Sequence, residues 1–183
     1  NSANRVMRVT EPDLALTFKD VKLVSTCTAT SDVRCLSFDN TSSRSKVLLD
    51  GCELSASFYC INFPIGSEGH EITLRNATVA SGWAAINCYA NNSVFNIENS
   101  TLRGLNDKAE GPSNDYATIV FDGGSLYELN IGVNGSGNTV NITKSTIYAS
   151  SESSNNQAWL SVQYGAKSDV INVDADTRII DDK

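Results

Sequence analysis

Acidic and aromatic side chains gather in two stretches of this chain. Asp107, Glu110 and Asp115 fall within nine residues, and Glu152 follows in a later polar stretch. Hard carboxylate oxygens at that density suit calcium. The spacing, however, fits neither the EF-hand loop nor the glycine-rich nonapeptide calcium repeats. The expectation is therefore a solvated acidic loop with no resident cofactor, calcium being the one ion it would take. Tyr127, Tyr148 and Tyr164 present flat apolar faces with a polar tip, a chemistry that stacks on sugar rings. The binding candidates are thus Asp107, Glu110, Asp115, Tyr127, Tyr148 and Glu152. Paired carboxylates for acid–base work are missing: adjacent acids occur only at Asp181-Asp182. The single histidine, His70, stands in Gly69-His70-Glu71 just before an apolar run, where a surface-turn role is expected rather than a catalytic one. No catalytic residue and no metal-ligand set is assigned.

The elements that must carry these residues show themselves as a repeat. Phe95-Asn96-Ile97-Glu98-Asn99-Ser100-Thr101-Leu102 alternates apolar and polar, meets a turn residue and a small residue, then alternates again. The same eight positions recur from Leu16, Val47, Ile72 and Val140, and a worn copy starts at Ile171 and slips by one residue before Ile179. Between these copies lies a second repeated strand: Cys35-Leu36-Ser37-Phe38, Cys60-Ile61-Asn62-Phe63, Ala85-Ile86-Asn87-Cys88, Thr118-Ile119-Val120-Phe121 and Trp159-Leu160-Ser161-Val162. Short strands repeating with a turn residue at a fixed offset are the pattern of a solenoid.

Spacing decides how the strands pair. The gaps from Phe18 to Leu36, Leu49 to Ile61, and Leu74 to Ile86 are 18, 12 and 12 residues, and the shortest turns close in 23 to 25. Twelve residues are too few for a helical crossover between parallel strands, and no 3.6-residue periodicity lies between them. Coiling in parallel puts like on like at about 4.8 Å per turn. Phe18, Leu49, Leu74, Ile97, Ile142 and Val173 then stack into one apolar column, and Leu23, Leu54, Val79, Leu102 and Ile147 into another. Asp20, Gly51, Asn76 and Asn99 form a turn column of types that tolerate a left-handed backbone. Lys19, Asp50, Arg75, Glu98, Thr143 and Asp174 face outward as a neutralised charge ladder. The fold class expected is all-β: a right-handed single-stranded parallel β-helix of 5–6 coils, its hand set by the sterics of parallel crossovers.

As domains, 1–183 read as one unit, with 1–13 as an N-terminal cap, 14–179 as coils and 180–183 as a tail. Residues 103–115, 148–156 and 122–133 lengthen the connections, and such insertions often form a binding face in repeat proteins. The opening Asn1-Ser2-Ala3-Asn4 reads as an excised piece of a longer precursor, with signal and anchor outside it. A net charge of −7 disfavours nucleic acid and anionic lipid as partners, and no apolar run approaches the ~20 residues a membrane helix needs. Five cysteines without a CxxC leave at least one unpaired and make zinc a poor fit. Cys27 with Cys35, or Cys35 with Cys60, are the pairs open to bridging, but thiols are expected, and Cys52 takes a packing role on the small position of the repeat. Six Asn-X-Ser/Thr sequons, among them Asn76, Asn99 and Asn141, read as products of an Asn/Ser/Thr-rich composition.

The coils Ile72–Val79 and Phe95–Leu102 resemble those of pectate-lyase-like right-handed β-helix domains. They are most similar to non-catalytic versions in bacterial surface proteins, such as autotransporter passenger and adhesin regions. Over 14–179, that resemblance implies a secreted or cell-surface module. It would be adhesin-like or a rigid spacer, with a host or cell-wall glycan, or a host protein, as partner. The alternative is a polysaccharide lyase or glycoside hydrolase acting on acidic polysaccharide. The Gly-His-Gly, Asn-Thr-Asp and Arg-Ile-Lys segments of polygalacturonases have no counterpart around His70, so no catalytic residue carries over.

Overall fold

Every strand of this chain pairs with the strand that occupies the same place one winding away. The computed structural model describes residues 4–29, 32–82, 84–104, 119–122, 137–149, 160–163 and 168–181. The first winding holds β1 (Asn4–Val9), β2 (Ala15–Lys19) and β3 (Lys22–Val24). The second holds β4 (Val33–Phe38), β5 (Lys46–Asp50) and β6 (Glu53–Ala56). The third holds β7 (Tyr59–Phe63), β8 (Glu71–Arg75) and β9 (Thr78–Ser81). The fourth holds β10 (Ala84–Cys88), β11 (Val94–Glu98) and β12 (Thr101–Gly104). They continue with β13 (Ile119–Asp122), β14 (Thr139–Thr143) and β15 (Thr146–Ala149), then β16 (Leu160–Gln163), β17 (Val170–Val173) and β18 (Arg178–Asp181).

Three parallel sheets result: β1-β4-β7-β10-β13-β16, β2-β5-β8-β11-β14-β17 and β3-β6-β9-β12-β15-β18, called here sheets A, B and C. The chain is an all-β parallel β-solenoid. Nearly continuous description covers about four turns, from Asn4 to Gly104, against the 5–6 coils expected, and the later rungs are described chiefly by their strands. Residues 4–9, read from the sequence as part of a cap, form the first rung of sheet A and pair with β4. Each eight-residue repeat is two strands rather than one, because its turn residue bends the chain out of sheet B and into sheet C.

The columns stack in the register that spacing implies. Phe18 pairs with Leu49, Leu49 with Leu74, Leu74 with Ile97, Ile97 with Ile142, and Ile142 with Val173. Leu23, Leu54, Val79, Leu102 and Ile147 follow suit, and Ile179 completes the row. From the second winding to the fifth, the members of the first column are fully buried, so each contributes about 1.5–3 kcal/mol of apolar transfer. The cysteines are thiols: Cys35, Cys52, Cys60 and Cys88 are buried and Cys27 is partly exposed. Cys52 lies within 3.5 Å of the Phe18 and Asp50 carbonyl oxygens, consistent with a small buried filler.

Two corners recur along the stack. At the B–C corner Asp20, Gly51, Asn76, Asn99 and Lys144 all have positive φ, between 45° and 65°. A second column of left-handed residues, not read from the sequence, opens sheet B: Asp13, Arg44, Gly69, Asn92, Gly137 and Ser168, with φ between 52° and 70°. The residue after the bend turns inward, and where it is Ser93, Ser100, Asn138, Ser145 or Asp169 it supplies a side-chain oxygen to the neighbouring winding. Ala77 N–H donates to Ser100 Oγ at 3.0 Å and Ser100 N–H to Ser145 Oγ at 3.0 Å. At the other corner His70 N–H donates to Ser93 Oγ at 3.1 Å, Ser93 N–H to Asn138 Oδ1 at 2.9 Å, and Asn138 N–H to Asp169 Oδ1 at 2.8 Å. These bonds satisfy donors that the bend takes out of the ladder, so serine and asparagine recur there for hydrogen bonding and not for size alone.

Asparagine ladders run up the outside. Asn99 Nδ2 donates to Asn76 Oδ1 at 2.7 Å and Asn76 Nδ2 to Asp50 Oδ1 at 2.9 Å. A second ladder lies on the outward face of sheet B, where Asn172 Nδ2 donates to Asn141 Oδ1 at 2.8 Å and Asn141 Nδ2 to Asn96 Oδ1 at 2.9 Å. The sequon residues Asn76, Asn99 and Asn141 therefore spend their amides on neighbouring windings. The charge ladder is formed in part, with Arg75 Nε 2.8 Å from Glu98 Oε2, and Lys46 and Glu71 make a similar pair at 2.8 Å.

His70 corrects an expectation. It is 1 % exposed, with its ring 5.0 Å from Phe38 and 4.8 Å from Phe63. The left-handed Gly69 bends the chain so that the next side chain points into the core rather than into solvent. Burial pushes its imidazole down to about 4, so it is neutral at physiological pH.

Candidate functional site

Sheet A departs from simple alternation, and that departure builds a groove on its outer side. Cys35 and Leu36, Cys60 and Ile61, and Ala85 and Ile86 are adjacent pairs, yet all six belong to one buried core. Two consecutive inward residues mean the preceding one turns outward. Arg34 and Tyr59, paired across β4 and β7, are those preceding residues. Arg5 pairs with Arg34 across β1 and β4. An outward column Arg5, Arg34, Tyr59 thus climbs three windings, and beside it runs Ser37, Asn62, Asn87.

Of these, Arg5, Arg34, Tyr59, Ser37 and Asn62 line a groove of about 530 Å³ with Asp39, Tyr89 and Phe58 among its walls. The Arg34 guanidinium carbon is 5.9 Å from the Tyr59 ring centroid, within cation–π range. Arg34 Nη1 is 2.7 Å from Asp32 Oδ1, while its Nε is buried with no hydrogen-bond partner. Burial is the main influence lowering the Arg34 pKa from its ordinary value; Asp32 opposes it and the charge of Arg5 adds to it. Arg5 Nε donates to Ser37 Oγ at 3.2 Å. Asp39 is engaged by Arg8, whose Nε donates to Oδ1 at 2.9 Å and whose Nη2 bonds Oδ2. Deeper in the sheet, Asn87 Nδ2 donates to Asn62 Oδ1 at 2.8 Å.

No protein-family model, no curated protein and no solved structure matches this chain. The chemistry of the groove therefore has to be read from its own side chains. It offers guanidinium and amide donors above aromatic faces, the combination that holds polar, ring-shaped or anionic ligands. Among the described residues its one lining carboxylate is Asp39, which is bonded by Arg8. Among the described residues no three His, Cys, Asp or Glu side chains converge as metal ligands, and no helix is long and apolar enough to cross a membrane.

Of the residues singled out from sequence, Asp107, Glu110, Asp115, Tyr127, Glu152 and Tyr164 lie outside the described residues, as do most of the three insertions. Tyr148 falls on β15, where only its backbone is described. Arg5, Arg34, Tyr59 and Asn62 were not singled out. Strict alternation from the anchors Leu36 and Ile61 would turn Arg34 and Tyr59 inward. The available signal was chemical: an arginine buried among apolar neighbours is improbable, so Arg34 itself marked the break in alternation.

Proposed function

We propose that this chain is a non-enzymatic β-helix module of an exported bacterial surface protein that binds a glycan along the outer face of sheet A. The observation that carries the reading is the groove lined by Arg34, Tyr59 and Asn62, a donor-rich and aromatic surface on a rigid stack of strands. Sugars are bound by amide and guanidinium hydrogen bonds to hydroxyls and by ring stacking on aromatic side chains. Parallel rungs repeat such groups along the rod at the strand spacing, which suits a polymeric ligand. The likeness of the coils to pectate-lyase-like and adhesin-type β-helices supports the same reading. The test is to incubate the protein with polygalacturonate, alginate, glycosaminoglycans and neutral glucans. Retention on a glycan, with loss on Phe58→Ala, is expected. New unsaturated products or reducing ends that persist after repurification, and vanish in a groove variant, would replace the binding reading with the lyase or hydrolase one.

A further inference from the structure

We infer that Arg5 and Arg34 form an anion subsite within this groove, so that its ligand carries a carboxylate or sulfate on the sugar ring. The inference rests on the glycan-binding reading and adds the charge class of the ligand. Its basis is a placement that stability alone does not explain. Arg5 and Arg34 are directly paired on neighbouring parallel strands and lie on the outer side of the sheet. Like charges directly opposite one another destabilise a sheet. Elsewhere the outward positions do the reverse: Lys22 pairs Glu53, Lys46 pairs Glu71 and Arg75 pairs Glu98, each across adjacent windings. Arg34 has Asp32 as counterion and Arg8 has Asp39, while Arg5 is held by the neutral hydroxyl of Ser37. The buried Nε of Arg34 is left as an unmatched donor in the wall of the groove. A planar anion seated between the two guanidiniums would offset their repulsion, since guanidinium and carboxylate or sulfate meet edge to edge through paired bonds. Phe58, partly exposed in the groove wall with its ring 4.0 Å from that of the buried Tyr59, is placed to carry the ring that bears the anion.

The experiment measures affinity by calorimetry, at low and moderate salt, for three probes: hyaluronate oligosaccharides (carboxylate), dextran sulfate (sulfate) and neutral dextran. Binding to at least one anionic probe at least tenfold tighter than to dextran is expected. It should weaken with salt and fall at least tenfold in Arg5→Gln, whose exposed position leaves folding intact by circular dichroism. Arg34→Lys keeps the charge but not the fork, and should cost several-fold. The two anionic arms tell carboxylate from sulfate. Equal affinity for dextran and the charged probes, or an Arg5→Gln variant that binds as well as the parent, overturns the anion subsite and leaves the glycan reading standing. No binding of any of the three overturns both.

Discussion

At the scale of single residues, His70 shows how a fold imposes an unusual state on an ordinary side chain. Its ring is packed between Phe38 and Phe63, and neither ring nitrogen finds a hydrogen-bond partner. A buried orphan donor costs about 1–3 kcal/mol, and charging the ring inside this pocket costs more. An unfolded histidine titrates near 6.5 and the folded one at about 4, so acidification between those values protonates the unfolded chain alone. Stability at neutral pH is therefore undiminished by this group. It declines as pH falls through 6.5 and stops declining once the folded form titrates near 4, for a total of about 3 kcal/mol at most. His70→Phe should be as stable as the parent at pH 7, or more so, and should lose that decline. Urea unfolding of both proteins from pH 7 to pH 4 measures it, and parallel pH profiles would contradict the assignment. Asp169, whose pKa burial raises, works in the opposite sense but is common to both proteins.

At the scale of elements, sheet B has the strongest specification. Its strands β5, β8, β11 and β14 alternate inward and outward in perfect register, and Leu74 sits between Leu49 and Ile97 with no exposure. Removing that side chain leaves a cavity that rigid neighbouring rungs close poorly. Leu74→Ala should therefore lose about 2–5 kcal/mol in denaturant unfolding, whereas Thr73→Ala on the outward face should change stability by less than about 1 kcal/mol. Comparable losses from the two would mean the column is not the core. This alternation was legible from sequence, as was the B–C turn column. Sheet A was legible only in part, because Cys35 and Leu36 both turn inward and shift the facing of Arg34. The second bend column was missed because Leu14, Ser45, His70, Ser93, Asn138 and Asp169 after it share no single type, and Arg44 breaks the run of turn-forming residues. Asp13, Gly69, Asn92 and Gly137 carried the backbone signal.

At the scale of the stack, each rung pairs with the rungs beside it, so stability adds along it, and among the described residues the first and last rungs pair on one side only. Large apolar residues are exposed only at those ends among the described residues: Val6 and Val24 at one, Val170, Val173 and Ile179 at the other. Amide hydrogen exchange should accordingly be slowest in β7, β8, β10 and β11, and faster in β2 and β17. Uniform protection along the rod would show instead that the domain opens only as a whole.

The amino-acid sequence by itself determined that short strands stack in parallel and which apolar residues share a column, because periodicity and spacing act within one or two windings. Tertiary structure alone decided which neighbours meet across a winding once alternation breaks. Arg5 and Arg34 become partners only through register, and His70 becomes a core residue only because the bend at Gly69 aims it inward. The first follows from inter-strand register and the second from the left-handed backbone at Gly69, and packing between windings fixes both.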